Sequence, residues 1–169
     1  SSGCVEIGAF GKENYNLTGY FNIPKVFEIT LHNGFDPYTG KQIGLQSGSL
    51  EDLKTFEDLF DAFARQMSYF IDIKVRGNNI IERFYARYMP APFLSLLIDD
   101  CIQRGRDYHD GGPRYDSSYI QGVGMGTITD CLSAIRKHVY GEKTEDFTGI
   151  TMPEMIAMLD ADFIGFESE

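Results

Sequence analysis

The first residues in this chain with the means to do chemistry are in the run Gly3-Cys4-Val5-Glu6. In an extended stretch, residues i and i+2 point to the same side, about 6.6 Å apart along the backbone. Cys4 and Glu6 are therefore expected to face one pocket, with Val5 turned into its wall. A nucleophilic cysteine needs a thiolate, which a nearby His, Lys or helix N-terminus favours. Here an acidic group stands two residues away, and the first histidine is His32. A close carboxylate raises a thiol's pKa. That is wrong for a nucleophile and right for a thiol that keeps its hydrogen and exchanges it as an atom. The carboxylate is then free for general acid–base work on a neighbouring group. C-x-E also occurs by chance, so on spacing alone a structural loop and a thiolate-based hydrolase or transferase both stay open.

The other candidates read as structure. Gly122-Val123-Gly124-Met125-Gly126 stands between an extended stretch and a helix, where phosphates are often held. Its spacing is not G-x-G-x-x-G, and no acidic ribose ligand follows, so a turn packing helix on strand is expected. His32, His109 and His138 show no ligand spacing and read as surface or helix-end residues. Asp99-Asp100 reads as one helix face. Cys101 and Cys131 lie on helical patterns, where a buried free cysteine acts as a small hydrophobe. No metal site is expected in the chain.

Composition narrows the class. The chain has 169 residues, 43% of them apolar and 24% charged, enough to bury a real core. A net charge of −10 argues against a nucleic-acid or anionic-membrane partner, because phosphate binding needs clustered Lys and Arg. The acidic excess, mostly in Glu51–Asp61 and the last thirty or so residues, reads as solvated helix faces. Three widely spaced cysteines form no disulfide framework and favour a reducing cytoplasm. No stretch is apolar enough to span a bilayer, and no signal peptide opens the chain. The start lacks Met, and the expectation is a segment of a longer protein.

The elements that must position Cys4 and Glu6 follow from pattern. Residues 1–22 are expected as an ordered loop with extended stretches. A short helix is expected from Ile23 to His32, with Pro24 in its first turn and Asn33-Gly34 as its left-handed stop. Residues 34–49 read as a connecting loop. A helix from Phe56 to Tyr88 is the strongest signal, opened by Thr55 and Asp58 at capping-box spacing and bent at Gly77-Asn78-Asn79. It would run roughly 50 Å, a length suited to crossing a large scaffold. Further helices are expected at Phe93–Arg104, Thr127–Tyr140 and from Thr151, with Arg114–Gln121 extended and a glycine loop at Gly122–Gly126.

The surroundings of Cys4 carry a family likeness. GCVEIGAFGKENYNLTGYFNIPK resembles the cysteine loop of the glycyl radical enzymes, the family of pyruvate formate-lyase. The likeness continues in order through FEITLHNGFDPYTGKQIG, APFLSLLIDDCIQRGRDYHDGGPRY and YIQGVGMGTITDCLSAIRKHVY. It implies an α/β fold: part of the family's ten-stranded barrel of two half-barrels. Residues 1–22 would be the cysteine loop at its centre and residues 23–169 a helix-rich half-barrel segment. No Arg-Val-x-Gly-Tyr-like motif appears, so the glycyl radical domain is expected outside this chain.

Formate-lyases have two adjacent cysteines, whereas Val5 follows Cys4 here. Cys-Val-Glu resembles the eliminating and decarboxylating branch, which acts on diols, choline, isethionate, hydroxyproline and hydroxyphenylacetate. Ile7 stands where diol and choline enzymes usually have proline. FGKENYNLTGY and YIQGVGMGTITD look most like the hydroxyproline-dehydrating members. The resemblance implies that Cys4 becomes a thiyl radical, that Glu6 assists loss of water, and that Tyr20 belongs to the substrate pocket. It implies a glycyl radical cofactor, a small-molecule substrate and a separate S-adenosylmethionine-dependent iron–sulfur activase. It also implies a homodimer in full length and the cytoplasm of an anaerobic bacterium. Another dehydratase or C–X lyase, a decarboxylase, and a silent homologue are the competing expectations.

Overall fold

The computed structural model describes residues 7–142 and 149–166. In chain order the elements are β1 (Glu13–Asn22), α1 (Ile23–Leu31), β2 (Phe35–Asp36), β3 (Lys41–Gln42), α2 (Phe56–Tyr88), α3 (Pro92–Leu97), α4 (Cys101–Arg104), β4 (Tyr115–Val123), α5 (Met125–His138) and α6 (Met152–Asp160). The fold is mixed α/β, with β1 paired to β4 and β2 paired antiparallel to β3. The chain divides into two compact units, residues 1–21 with 72–121 and residues 22–71 with 122–169.

In the first unit the two strands start together. The Tyr115 N–H donates to Lys12 O at 3.0 Å, and Asn14 Nδ2 donates to Asp116 Oδ1 at 3.0 Å, so β1 and β4 run parallel. The extended loop expected over residues 1–22 is thus, from Glu13 onward, a ten-residue strand. Its pattern hid it: Glu13, Asn14 and Asn16 are residue types depleted in strands, yet all three are buried here.

The helix expected over Phe93–Arg104 is broken. α3 stops at Leu97, α4 starts at Cys101, and Asp100 between them takes a left-handed φ of 77°. Two interactions outweigh the local preference. The Asp99 N–H donates to Gly11 O at 2.8 Å, and Arg114 grips Asp100 through Nε and Nη2, each at 3.0 Å. Such a two-pronged Arg–carboxylate pair fixes geometry as well as charge. Asp99-Asp100 is therefore a helix break and not a helix face.

In the second unit the helices form where the sequence indicates, whereas residues 34–49, expected as a connecting loop, contain the antiparallel β2–β3 pair. The Asn22 side chain accepts the Lys25 N–H at 3.1 Å to open α1, which buries Val26, Phe27, Ile29 and Leu31. Asn33 (φ 51°) and Gly34 (φ 83°) end it in the left-handed region. α2 opens with the reciprocal cap: Thr55 Oγ1 accepts the Asp58 N–H at 3.1 Å, and Asp58 Oδ2 accepts the Thr55 N–H at 2.9 Å. Its helical assignment continues without interruption through Gly77-Asn78-Asn79 for 33 residues. Leu59, Ala62 and Phe63 are buried, and the Phe63 ring meets Phe27 edge-on at 5.3 Å.

The glycine loop contracts to one residue. β4 extends through Gly122 and Val123, and α5 starts at Met125. Gly124 at φ 86° makes the turn, and a Cβ there would lie 2.5 Å from Pro24 Cγ. Close packing is why glycine stands there. α6 opens as expected, with the Thr151–Glu154 capping box complete.

Residues 34–49 are held to α2 by Gln66, which is fully buried. Its Oε1 accepts the Leu45 N–H at 3.0 Å and its Nε2 donates to Leu45 O at 2.5 Å. Replacing Gln66 by Leu strands both backbone groups, a loss on the order of 1–3 kcal/mol for each buried group left unpaired. Urea unfolding of the intact protein should show a lower midpoint for Gln66→Leu than for Ser68→Ala on the exposed side of the same helix. Equal midpoints would contradict this reading.

Candidate functional site at the foot of the cysteine loop

Cys4 and Glu6 lie outside the described residues, so the site is visible from the segment that leaves them. Ile7 to Gly11 is pinned at several points. The Lys12 N–H donates to Ala9 O at 3.0 Å, closing a turn. Gly11 O accepts from Asp99 and Lys12 O from Tyr115, which ties the end of the turn to the α3–α4 break and to β4.

Glu13 makes the tightest hold. Its side chain is 8% exposed, and it points back at the segment that precedes it. Oε2 accepts the Ala9 N–H at 2.7 Å, and Oε1 accepts the Tyr119 hydroxyl at 2.5 Å. The same Tyr119 oxygen lies 3.2 Å from Ile7 O, one residue after Glu6. Tyr15 stacks on Tyr119 with ring centres 6.0 Å apart and planes 11° from parallel. Gly8 lets the backbone come this close: a Cβ there would collide with Glu13 Oε2 and stand 2.5 Å from Tyr15 Oη.

A second layer fixes β1 from behind. The Tyr15 N–H donates to the Tyr108 hydroxyl at 2.8 Å, and the Tyr108 N–H donates to Ser95 Oγ at 2.8 Å. Asp107 accepts the Ala91 N–H at 2.9 Å and lies 2.9 Å from Ser95 Oγ. Charge and protonation follow the geometry. The Tyr119 hydroxyl and the Ala9 N–H hold Glu13 below the usual carboxylate range, and its partnership with Glu13 pushes Tyr119 up to about 12. Glu13 is therefore a fixed anion that receives protons in hydrogen bonds.

Tyr20 lies on β1 and is 65% exposed. Gly19 before it adopts φ 137°, a conformation other residues avoid, and a Cβ there would lie 2.7 Å from Lys74 Nζ. His32 caps the end of α1 with Nδ1 2.8 Å from Glu28 O, His138 ends α5, and His109 packs on Tyr85 at 5.1 Å between ring centres. Cys101 is fully buried, and burial pushes its thiol pKa up. Cys131 lines an apolar cavity of about 640 Å³ with Phe27, Leu31, Ile135 and Met158. Among the described residues no group of three or more His, Cys, Asp and Glu could hold a metal ion, and no helix is long and apolar enough to cross a membrane.

Sequence reasoning missed Glu13, Tyr119, Tyr108 and Asp107. The Glu13–Tyr119 bond joins positions 106 residues apart, and nothing local to either marks the pairing.

The profile of the pyruvate formate lyase-like family matches residues 1–168. Trans-4-hydroxy-L-proline dehydratase of Clostridioides difficile is 51% identical over 99% of this chain and 21% of its own length. The crystal structure of hydroxyproline dehydratase from Clostridioides difficile, with trans-4-hydroxy-L-proline bound, superposes with a TM-score of 0.91 at 50% identity, covering 98% of this chain and 20% of that one. (2S)-3-sulfopropanediol dehydratase of Klebsiella oxytoca is 32% identical over 98% of this chain and 20% of its length. The chain thus spans about a fifth of the length of the curated relatives it matches.

The two partners of the latch titrate at opposite ends of the pH scale. Glu13 is lowered from 4.5, so its contribution to stability is present above that value and is lost as pH falls through the lowered one. Tyr119 is raised from 10.0, so its contribution is present below 10.0 and is lost as pH rises through about 12. NMR of ring-labelled tyrosine should find Tyr119 still protonated at pH 10.0 in the intact protein, and ionising earlier after Glu13→Gln. Half-ionisation at 10.0 in the unsubstituted protein would contradict the latch.

Proposed function

Because this chain belongs to the pyruvate formate lyase-like family, we propose that it is the cysteine-loop segment of a glycyl radical dehydratase that converts trans-4-hydroxy-L-proline to 1-pyrroline-5-carboxylate and water. The observation that carries the reading is 51% identity to a dehydratase of that substrate, against 32% to one acting on a sulfonated diol. The intact motif Gly3-Cys4-Val5-Glu6 and the presence of Tyr20 support it. Exposed apolar side chains along α2 and α3, such as Ile80, Phe84, Phe93 and Leu96, support a place within the larger ten-stranded barrel, where they would be covered.

The glycyl radical, on a residue outside this chain and installed by a radical S-adenosylmethionine activase, supplies the removal of hydrogen from the Cys4 thiol. Of the three cysteines, Cys4 suits that role: Cys101 is sealed in the core and Cys131 sits against apolar walls. The Cys4 sulfur then takes a hydrogen atom from the ring carbon beside the proline nitrogen, forming S–H and leaving one unpaired electron on carbon. Glu6 gives a proton to the neighbouring hydroxyl, and the C–O bond breaks to release water. The ring carbon and nitrogen become a protonated C=N unit, and the unpaired electron moves to the carbon that lost oxygen. Cys4 returns its hydrogen atom there, and loss of the nitrogen proton gives the product. Tyr20 lines the pocket or bonds to substrate. The active protein is read as a homodimer in the cytoplasm of an anaerobe.

The full-length activated protein should form 1-pyrroline-5-carboxylate from trans-4-hydroxy-L-proline. Cys4→Ala should abolish turnover while a glycine radical signal still forms. Glu6→Gln should lower kcat by roughly 10²–10⁴-fold, the usual worth of positioned acid–base help. A radical signal with no product from hydroxyproline would point to another dehydratase or C–X lyase, and no radical signal to a silent homologue.

A further inference from the structure

We propose that Glu13 and Tyr119 are positioning residues for Cys4 and Glu6, holding the foot of the cysteine loop at Ile7–Ala9 so that thiol and carboxylate stand at a fixed point. The inference rests on the reading of Cys4 and Glu6 given above. Glu13 is buried, and both of its carboxylate oxygens are occupied by groups that define the loop's exit: the Ala9 N–H at 2.7 Å and the Tyr119 hydroxyl at 2.5 Å. The hydroxyl stands 3.2 Å from Ile7 O, so the hold reaches to the residue after Glu6.

Chain reach shows what the hold is worth. A backbone extends by at most about 3.6 Å per residue. With Ile7 fixed, Cys4 is three residues away and ranges over no more than roughly 11 Å. With the hold released, the next fixed point on this side is Ala9, through the bond its carbonyl accepts from the Lys12 N–H. Cys4 is then five residues away, and its limit from that anchor becomes roughly 18 Å. Hydrogen-atom transfer requires near-contact of the reacting atoms, and a displacement of about 1 Å can cost about 10²-fold in rate.

Gly8 supplies an independent observation. A Cβ at this position collides with Glu13 Oε2 and stands 2.5 Å from Tyr15 Oη, so an added methyl competes with the contact between the carboxylate and the loop. Gly8→Ala keeps both Glu13 and Tyr119 in the sequence and is expected to part the carboxylate from the loop, whichever of the two moves. Tyr108, Ser95 and Asp107 brace β1 beneath and serve general stability instead.

The experiment uses the full-length protein with Glu13→Ala, Glu13→Gln, Tyr119→Phe and Gly8→Ala. Five quantities are read: melting temperature, glycine radical yield after activation, kcat and KM on trans-4-hydroxy-L-proline, and the rate of Cys4 alkylation before activation. The expected result for Glu13→Ala and Gly8→Ala is a kcat lower by about 10–100-fold. Radical yield and KM should stay within about threefold, and Cys4 should alkylate several-fold faster while Cys101 does not change. Glu13→Gln keeps one acceptor oxygen and should recover part of the rate. The proposal is overturned if kcat, radical yield and melting temperature fall together, the mark of a general folding role, or if Cys4 alkylation is unaffected. If the unsubstituted protein has no activity on hydroxyproline, the dehydratase reading fails, and the alkylation rates alone then decide the positioning role.

Discussion

The structure from Ile7 to the start of β1 depends on one buried carboxylate. Glu13 stands at the first position of β1, reaches back over the turn at Ala9–Lys12, and meets a hydroxyl delivered by β4. Removing a carboxylate from water is costly unless donors replace the lost solvent. Here an amide N–H and a phenol O–H do so, and each belongs to a different part of the chain. The cost of burial therefore becomes specificity: the carboxylate is satisfied only when loop, β1 and β4 are all in register. The Gly8 backbone can approach because it has no side chain, and the Tyr15–Tyr119 stack closes the remaining side.

The same logic recurs one layer out. Asp107 gathers the Ala91 N–H at the start of α3, the Ser95 hydroxyl and the His109 N–H. Ser95 in turn receives the Tyr108 N–H, and the Tyr108 hydroxyl receives the Tyr15 N–H on β1. Polar contacts thus pass from the turn after α4 through to the strand that bears Glu13. Networks of this kind hold geometry because each member, if displaced, strands another in a low-dielectric setting. At the break between α3 and α4, Arg114 and Gly11 impose a fixed conformation on Asp99-Asp100 that its own sequence does not favour.

What the sequence made legible was local, and what it hid was long-range. α2 spans Phe56–Tyr88 as its periodicity and Thr55–Asp58 cap imply, and α6 opens on Thr151 with Glu154 because a capping box is written within four residues. Asn33-Gly34 likewise states its own turn. By contrast β1 carries Asn14, Asn16 and Gly19, a composition that reads as loop; its pairing with β4 makes it a strand. The Asp100 break depends on Arg114, and the contraction of the glycine loop to Gly124 depends on Pro24. Of the candidate site, Cys4 and Glu6 are expected from a motif written within three residues and Tyr20 from the family likeness, and Cys4 and Glu6 lie outside the described residues. Glu13 and Tyr119 were not, since a Glu in Lys12-Glu13-Asn14 and one of the two tyrosines of β4 have no mark of their meeting.

The dehydratase reading assigns Glu13 and Glu6 two different tasks for one side-chain type. A carboxylate that already accepts strong hydrogen bonds on both oxygens has its charged form stabilised and its pKa lowered, so it is a poor proton donor near neutrality. Glu13 is in that condition, with Tyr119 and Ala9 filling its oxygens. It holds position and stays charged. A carboxylate that must hand a proton to a departing hydroxyl needs the reverse: a free oxygen facing the substrate and a value nearer the working pH. Under the dehydratase reading that task falls to Glu6, and the thiol two residues earlier must keep its hydrogen until an unpaired electron claims it. A cysteine beside a carboxylate is poorly suited to ionise, and that makes it well suited to give and take back a hydrogen atom. The anion seven residues on from Glu6 is then no competitor for the proton, because its own donors have already fixed its charge.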